Sequence, residues 1–238
     1  MDPSQPTVIP LVAANDERIV GGKAAKLASL DQAGFRVPAG FCITTMGYER
    51  FLEEHRLESF VKMELGRKPF ADMRWEEVWD AALRIRSVFL SKPLPTVLAA
   101  EITKAAQELD APQGLAIRSS APGEDSAGRS FAGLHESIVG VKGVQALLDA
   151  VRQVWASLWS DAALLYRQEL SLDPLRSRMA VLVQQLIDED RSGVAFGRDP
   201  RAIQEDVAII EAVPGPGSDL VDGAVDPDRW ILDRSSGE

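Results

Sequence analysis

The chain has 238 residues, 45% of them hydrophobic, and a formal net charge of −10. That supplies a sizeable core for one domain or two lobes, and the acidic balance argues against a nucleic-acid binder, which needs surplus Lys and Arg. Cys42 is the only cysteine, so no internal disulfide forms and a reducing cytoplasm is expected; the first residues lack a signal peptide's basic and apolar regions, and no uninterrupted apolar run approaches the roughly 18 residues of a membrane span.

The first informative element is a helix over about 22–33, introduced by Val20-Gly21-Gly22-Lys23 and ending near Gly34. Lys23 falls in its first turn, where the helix dipole disfavours a cation and an anion is welcome. For an isolated Gly-Gly-Lys, an ordinary amphipathic helix with a solvated lysine is the more usual reading. Val37-Pro38 forces extended backbone, and Phe41 to Thr45 suits a strand. Glu53-Glu54-His55-Arg56 reads as a solvated helix face. Trp75, Val78, Trp79, Ala82, Ile85, Val88 and Phe89 recur three and four apart, which predicts a helix whose stripe, tryptophans included, packs in the core. Val97 to Leu109 is a further helix. Pro112-Gln113-Gly114 marks the boundary between a helical first lobe and a strand-rich second one.

Strand candidates follow at Leu115–Ile117, Ser137–Val141 and Met179–Ile187. Between the last two lies a helix with Leu147, Leu148, Val151, Val154, Trp155, Leu158 and Trp159 on one face. Trp155 and Trp159 are read as core residues rather than as a platform for a base. Gly193–Phe196, Val207–Glu211 and Arg229–Leu232 read as an antiparallel set. The segment after Ile117 is unusual. Arg118 leads into small residues through Gly133, whose amides can wrap a polyanion while Arg118 grips a phosphate with two hydrogen bonds. A surface loop after a strand is the competing reading. The Walker pattern is absent, since no Gly-Lys-Ser/Thr occurs.

Five motifs in order carry a resemblance. Gly21-Gly22-Lys23, Val37-Pro38-Ala39-Gly40-Phe41-Cys42-Ile43-Thr44-Thr45, Ile117-Arg118-Ser119-Ser120-Ala121, Ser130-Phe131-Ala132-Gly133 and Ser192-Gly193-Val194-Ala195-Phe196 with Asp199-Pro200 resemble the N-terminal nucleotide-binding domain of the phosphoenolpyruvate synthase and pyruvate phosphate dikinase family. Rifampin phosphotransferase and phenylphosphate synthase are relatives. The resemblance implies an α/β (α+β) fold of ATP-grasp type, incomplete at its C-terminus. Residues 1–112 would form the helical lobe and 113–238 the strand-rich nucleotide-binding lobe.

It also implies residue roles. Lys23 and Arg118 match the two basic residues that hold the triphosphate of ATP and serve catalysis. Gly133 and Ser137 match the phosphate-proximal loop and the strand after it, Gln184 the strand leading to the adenine pocket, and Glu211 a ribose or metal-side contact. The implied chemistry passes a phosphoryl group from ATP to a histidine on another domain or subunit, giving AMP and phosphate. The alternatives are a nucleotide-binding regulatory module or inactive remnant without its own catalysis, and the ATP-binding part of an antibiotic- or phenol-phosphorylating relative. Partners would be phosphohistidine and acceptor-binding domains, and Mg2+ would be held by ligands outside this chain. Neither His55 nor His135 suits catalysis, and no His/Cys metal site is expected. Leu134 and His135 stand where the family carries two glutamines, and Ser218 where it carries a glutamate.

Overall fold

The computed structural model describes residues 5–123, 134–201, 205–215, 217–221 and 223–237. The chain is a mixed α+β protein with antiparallel sheets, divided into two compact units at Leu186 and Ile187.

The first unit is built on five strands: β1 (Val8–Pro10), β2 (Gly40–Ile43), β3 (Leu115–Ser120), β4 (Ser137–Val141) and β5 (Ala180–Gln185), in spatial order β1-β2-β5-β3-β4. Its helices are α1 (Glu17–Gln32), α2 (Thr45–Glu54), α3 (Leu57–Leu65), α4 (Trp75–Ser91), α5 (Thr96–Gln107), α6 (Val144–Ser157) and α7 (Asp161–Glu169). Thr44 and Ser160 start α2 and α7, their hydroxyls accepting from the amides of Met46 and Ala163. Pro112-Gln113-Gly114 connects α5 to β3 inside this unit.

Alternation along the strands gives the sheet two different faces. One carries Phe41, Ile43, Leu115, Ile117, Val181 and Val183, and packs into the main core with the apolar sides of α2 to α7. Tyr48, Phe51, Phe89 and Trp155 meet there with ring centroids 5.2 to 6.2 Å apart. Their polar ends are satisfied. Trp159 Nε1 donates to Tyr48 Oη at 2.9 Å, and Trp155 Nε1 to the Met179 carbonyl at 3.2 Å. On the opposite face, Cys42, Ala180 and Leu182 receive α1 through Val20, Ala24 and Ala28. Small residues on α1 let it lie close.

The expected stripe of α4 is corrected at its start. Val78, Ala82, Ile85 and Phe89 are buried, joined by Ala81, but Trp75 is 63% and Trp79 50% exposed. Contacts with α6 and α7 cover a narrower arc than the seven-residue stripe, and the two tryptophans fall at its edge. His55 also departs from a solvated face: its Nε2–H donates to the Pro93 carbonyl at 2.8 Å, and its ring meets Phe51 edge-on.

The second unit holds β6 (Arg191–Phe196), β7 (Val207–Pro214), the short helix α8 (Ser218–Val221) and β8 (Asp228–Asp233), with the strands in antiparallel order β6-β7-β8. No helix among the described residues is long and apolar enough to cross a membrane.

Candidate functional site

The register of the first sheet sorts the candidate residues. Arg118 pairs with Ser137 on β4 and with Leu182 on β5, and Gln184 pairs with Ala116. Paired residues share a face, and so do residues two apart. Arg118, Ser137 and Gln184 therefore stand on the face that receives α1, away from the main core. Arg118 and Ser137 are exposed there, on the part of the sheet beyond the small cluster under α1.

Lys23 is brought to the same face by a break in α1. Gly21 has φ 76° and ψ 167°, so the helix restarts after it and Lys23 lies in the first turn of the second segment. Only glycine adopts that conformation without strain. The site has no room for a larger residue either, because a Cβ at position 21 would fall within the van der Waals shell of the Ser120 carbonyl and hydroxyl. The Ser120 hydroxyl in turn accepts the Ala24 amide at 3.1 Å, a bond from β3 to the first turn of the restarted helix. Ser120 is two positions from Arg118, about 7 Å along one face of β3. Gly21, Ser120 and Ala24 thus tie the Lys23 turn to the arginine-bearing strand.

Gln184 is buried, and its amide donates to the Pro38 carbonyl at 3.1 Å, which joins β5 to the segment entering β2. Its backbone is paired on both sides of the central strand. Gln185 and Leu186 continue the ladder, donating to the carbonyls of Ala39 and Gly114. Just before β4, the Glu136 amide donates to Ser157 Oγ at 3.1 Å, fixing the strand that carries Ser137.

His135 stands beside this region. Burial, then the charges of Arg167 and Lys23, push its pKa down to about 4, so the ring is neutral at pH 7. Burial pushes the Cys42 thiol up, keeping it protonated and unreactive.

Two candidates are not gathered on this face. Gly133 lies outside the described residues. Glu211 belongs to β7 in the second unit, opposite Arg229 on β8, with Nε to Oε1 at 3.7 Å. Arg229 also reaches the buried Asp199 at 3.1 Å, and Asp199 accepts the Arg201 amide at 2.8 Å. This network joins the Asp199-Pro200 motif to Glu211. Among the described residues no group of three or more His, Cys, Asp or Glu is placed to hold a metal ion.

Ser120 and Gly21 are the contributors that a list of chemical side chains misses. The signal available was the Gly-Gly pair before the lysine, but its partner lies 96 positions away from Ala24.

Comparison with known proteins bears on this geometry. Residues 17–238 match the family described as pyruvate phosphate dikinase, AMP/ATP-binding domain. The chain is 39% identical over 222 residues to a phosphoenolpyruvate synthase of Aeropyrum pernix, covering 91% of this chain and 27% of that protein. It is 34% identical to a probable phosphoenolpyruvate synthase of Methanothermobacter thermautotrophicus, covering 94% and 33%. A rifampicin phosphotransferase of Streptomyces sviceus is 37% identical, covering 88% and 24%. The chain thus spans about a quarter to a third of the length of these relatives.

Proposed function

Because the chain belongs to the family of pyruvate phosphate dikinase AMP/ATP-binding domains, we propose that it is the ATP-binding part of a dikinase-type phosphotransferase, with an ATP-grasp-like arrangement of lobes. ATP lies along the α1-bearing face of the first sheet. The Lys23 ammonium and Arg118 guanidinium bind phosphate oxygens and stabilise the charge that builds on the transferred group. Arg118 contributes a planar fork fixed by its strand, and Lys23 a point charge at a helix start that itself favours anions. Ser137 and Gly133 supply a hydroxyl and a close-approaching backbone to the same phosphates. Gln184 steadies the strand leading toward the adenine edge, and Glu211 serves a ribose or metal-side contact.

The phosphoryl group passes to a histidine on another domain or subunit, leaving AMP and phosphate. Magnesium neutralises part of the triphosphate charge in such reactions, and its ligands are assigned to groups outside this chain. The acceptor is chosen by a separate domain, since one ATP grip serves relatives named for phosphoenolpyruvate and for rifampicin.

The observation that carries this reading is the pairing of Arg118 with Ser137 beside the helix break that holds Lys23. Calorimetric titration with ATP and AMP, with and without Mg2+, tests it on the wild type, Lys23→Ala and Arg118→Ala. Each variant is expected to bind ATP at least about tenfold more weakly, the loss of one charge-assisted contact, while its melting temperature stays near that of the wild type. In the complete phosphotransferase, either change abolishes turnover. Wild-type ATP affinity in both variants, or no ATP binding by the unaltered chain, refutes the reading.

A further inference from the structure

The nucleotide chemistry proposed above leaves His135 unused, although its place is fixed. It stands two residues ahead of Ser137, and its segment is pinned twice to the end of α6. The Glu136 amide donates to Ser157 Oγ at 3.1 Å, and the imidazole is hydrogen-bonded to the Ser157 backbone. That second bond favours the charged ring, so the imidazole donates and a carbonyl accepts. The ring borders a cavity of about 430 Å³ lined also by Ala121, Pro122 and Gly123, the residues that follow β3. Ser120, the last residue of β3, is tied to the Lys23 turn, so this cavity continues the phosphate face.

The charges around the ring are mainly positive. Arg18 and Lys23 come from α1, Arg167 from α7, Arg176 from the turn before β5 and Arg178 from the entry to β5. Against them stands Asp173, which Arg176 approaches to 3.5 Å, while Glu136 is paired with Arg86 at 3.2 Å. Burial first, then the charges of Arg167 and Lys23, keep the ring neutral at pH 7. The cations oppose protonation by Coulomb repulsion. An anion bound to them removes that repulsion and adds an attraction of its own. An ammonium near enough to act on the ring brings its phosphate ligand near enough as well. With one nitrogen donating to Ser157, an added proton sits on the other and turns it from acceptor to donor.

We propose that His135 is a further nucleotide-binding group: as the triphosphate settles on Lys23 and Arg118, the imidazole takes one proton from solvent and the new N–H donates to a phosphate oxygen. The inference rests on the nucleotide reading of that face. No bond of the nucleotide breaks in this step, and the ring supplies a charge and a donor. ATP binding is thereby coupled to proton uptake and tightens as pH falls through the value at which the ring titrates in the complex. Glutamine in this place would donate at every pH, so His135→Gln removes the proton dependence while keeping a donor.

The chain has two histidines, so NMR titration of the imidazole C–H resonances, with and without ATP, tests the proposal directly. ATP is expected to raise the His135 midpoint by about two pH units, the effect of an opposite charge at contact distance. His55, bonded to the Pro93 carbonyl beside Phe51, should titrate alike in both. Calorimetry reads the same coupling. The ratio of ATP affinity at about pH 5 to that at about pH 8 should be about tenfold larger in the wild type than in His135→Gln, protonation of ATP itself being common to both. If His135→Gln fails to fold, the NMR titration, assigned through His55→Gln, carries the test. A His135 midpoint that ATP leaves in place overturns the proposal, as does equal pH dependence in wild type and His135→Gln. An equal rise with AMP overturns the contact with the triphosphate end. Inorganic triphosphate separates this inference from the nucleotide reading. A His135 rise with triphosphate but no ATP binding removes only the nucleotide reading. ATP binding that depends on Lys23 but leaves His135 unmoved removes only this inference, and no response to either ligand removes both.

Discussion

Gly21→Ala attacks the break in α1 at its centre. Two costs combine. A non-glycine residue at φ 76° and ψ 167° is strained by about 1–3 kcal/mol. The added methyl also meets the Ser120 carbonyl and hydroxyl, backbone and side chain of a buried residue on a central strand, and overpacking of that kind costs about 1–3 kcal/mol. The expected loss is about 2–6 kcal/mol, a large part of a typical 5–15 kcal/mol stability. Gly34→Ala is the matched control. Gly34 also has positive φ, at 85°, but nothing stands within 4 Å of its added methyl, so only the backbone cost of about 1–2 kcal/mol applies. Urea denaturation reads the difference. With a slope near 2 kcal/mol/M, an extra 2 kcal/mol moves the midpoint about 1 M lower than in the control. ATP affinity should fall as well in Gly21→Ala, because the Lys23 turn is displaced, and stay unchanged in Gly34→Ala. Equal midpoints for the two variants would refute the close fit of Gly21 against Ser120.

Other outcomes are open to measurement. Trp155→Ala should cost about 3–5 kcal/mol, whereas Trp75→Ala and Trp79→Ala should each cost well under half of that, because their rings are half exposed or more; comparable losses at all three positions would contradict the burial pattern. His135 gives a pH dependence with a definite sign. Its folded pKa of about 4 lies below the ordinary 6.5, so the unfolded chain takes up the proton first. Stability is therefore lost as pH falls from 6.5 toward 4, by up to about 3 kcal/mol at the low end. Urea midpoints at several pH values should fall more steeply for the wild type than for His135→Gln, and parallel profiles would show that the ring titrates normally.

Periodicity made the helices and strands legible. The stripe of α6 is buried as its spacing predicts, apart from the half-buried Leu148, because a helix packed along one side obeys the same 3.6-residue repeat as its sequence. The stripe of α4 was too broad, since spacing describes the apolar arc and the neighbouring helices decide how much of it is covered. β3 runs three residues past its apolar segment. Arg118, Ser119 and Ser120 carry no strand signal, yet β5 pairs all three. Lys23 and Arg118 were readable as chemistry beside small residues. The Ser120 hydroxyl under α1 was not, because a helix cap supplied by a distant strand leaves no local pattern.

The strand order of the first sheet has a consequence for the order of folding. The central strand is the one made last. β2 finds its inner neighbour only when β5 emerges roughly 140 residues later, and β3 finds the same neighbour from the other side. At synthesis rates of about 5–20 residues per second, Phe41, Cys42 and Ile43 wait roughly 7–28 seconds for their partner. Helices α2 to α6 can form meanwhile, but the sheet cannot close, and neither can the contact between Ser120 and the Lys23 turn be locked by the strand that aligns it. Such distant pairing belongs to slow folding. Arrival of β5 joins the β1–β2 pair to the β3–β4 pair, so the face that carries Lys23 and Arg118 is complete only then.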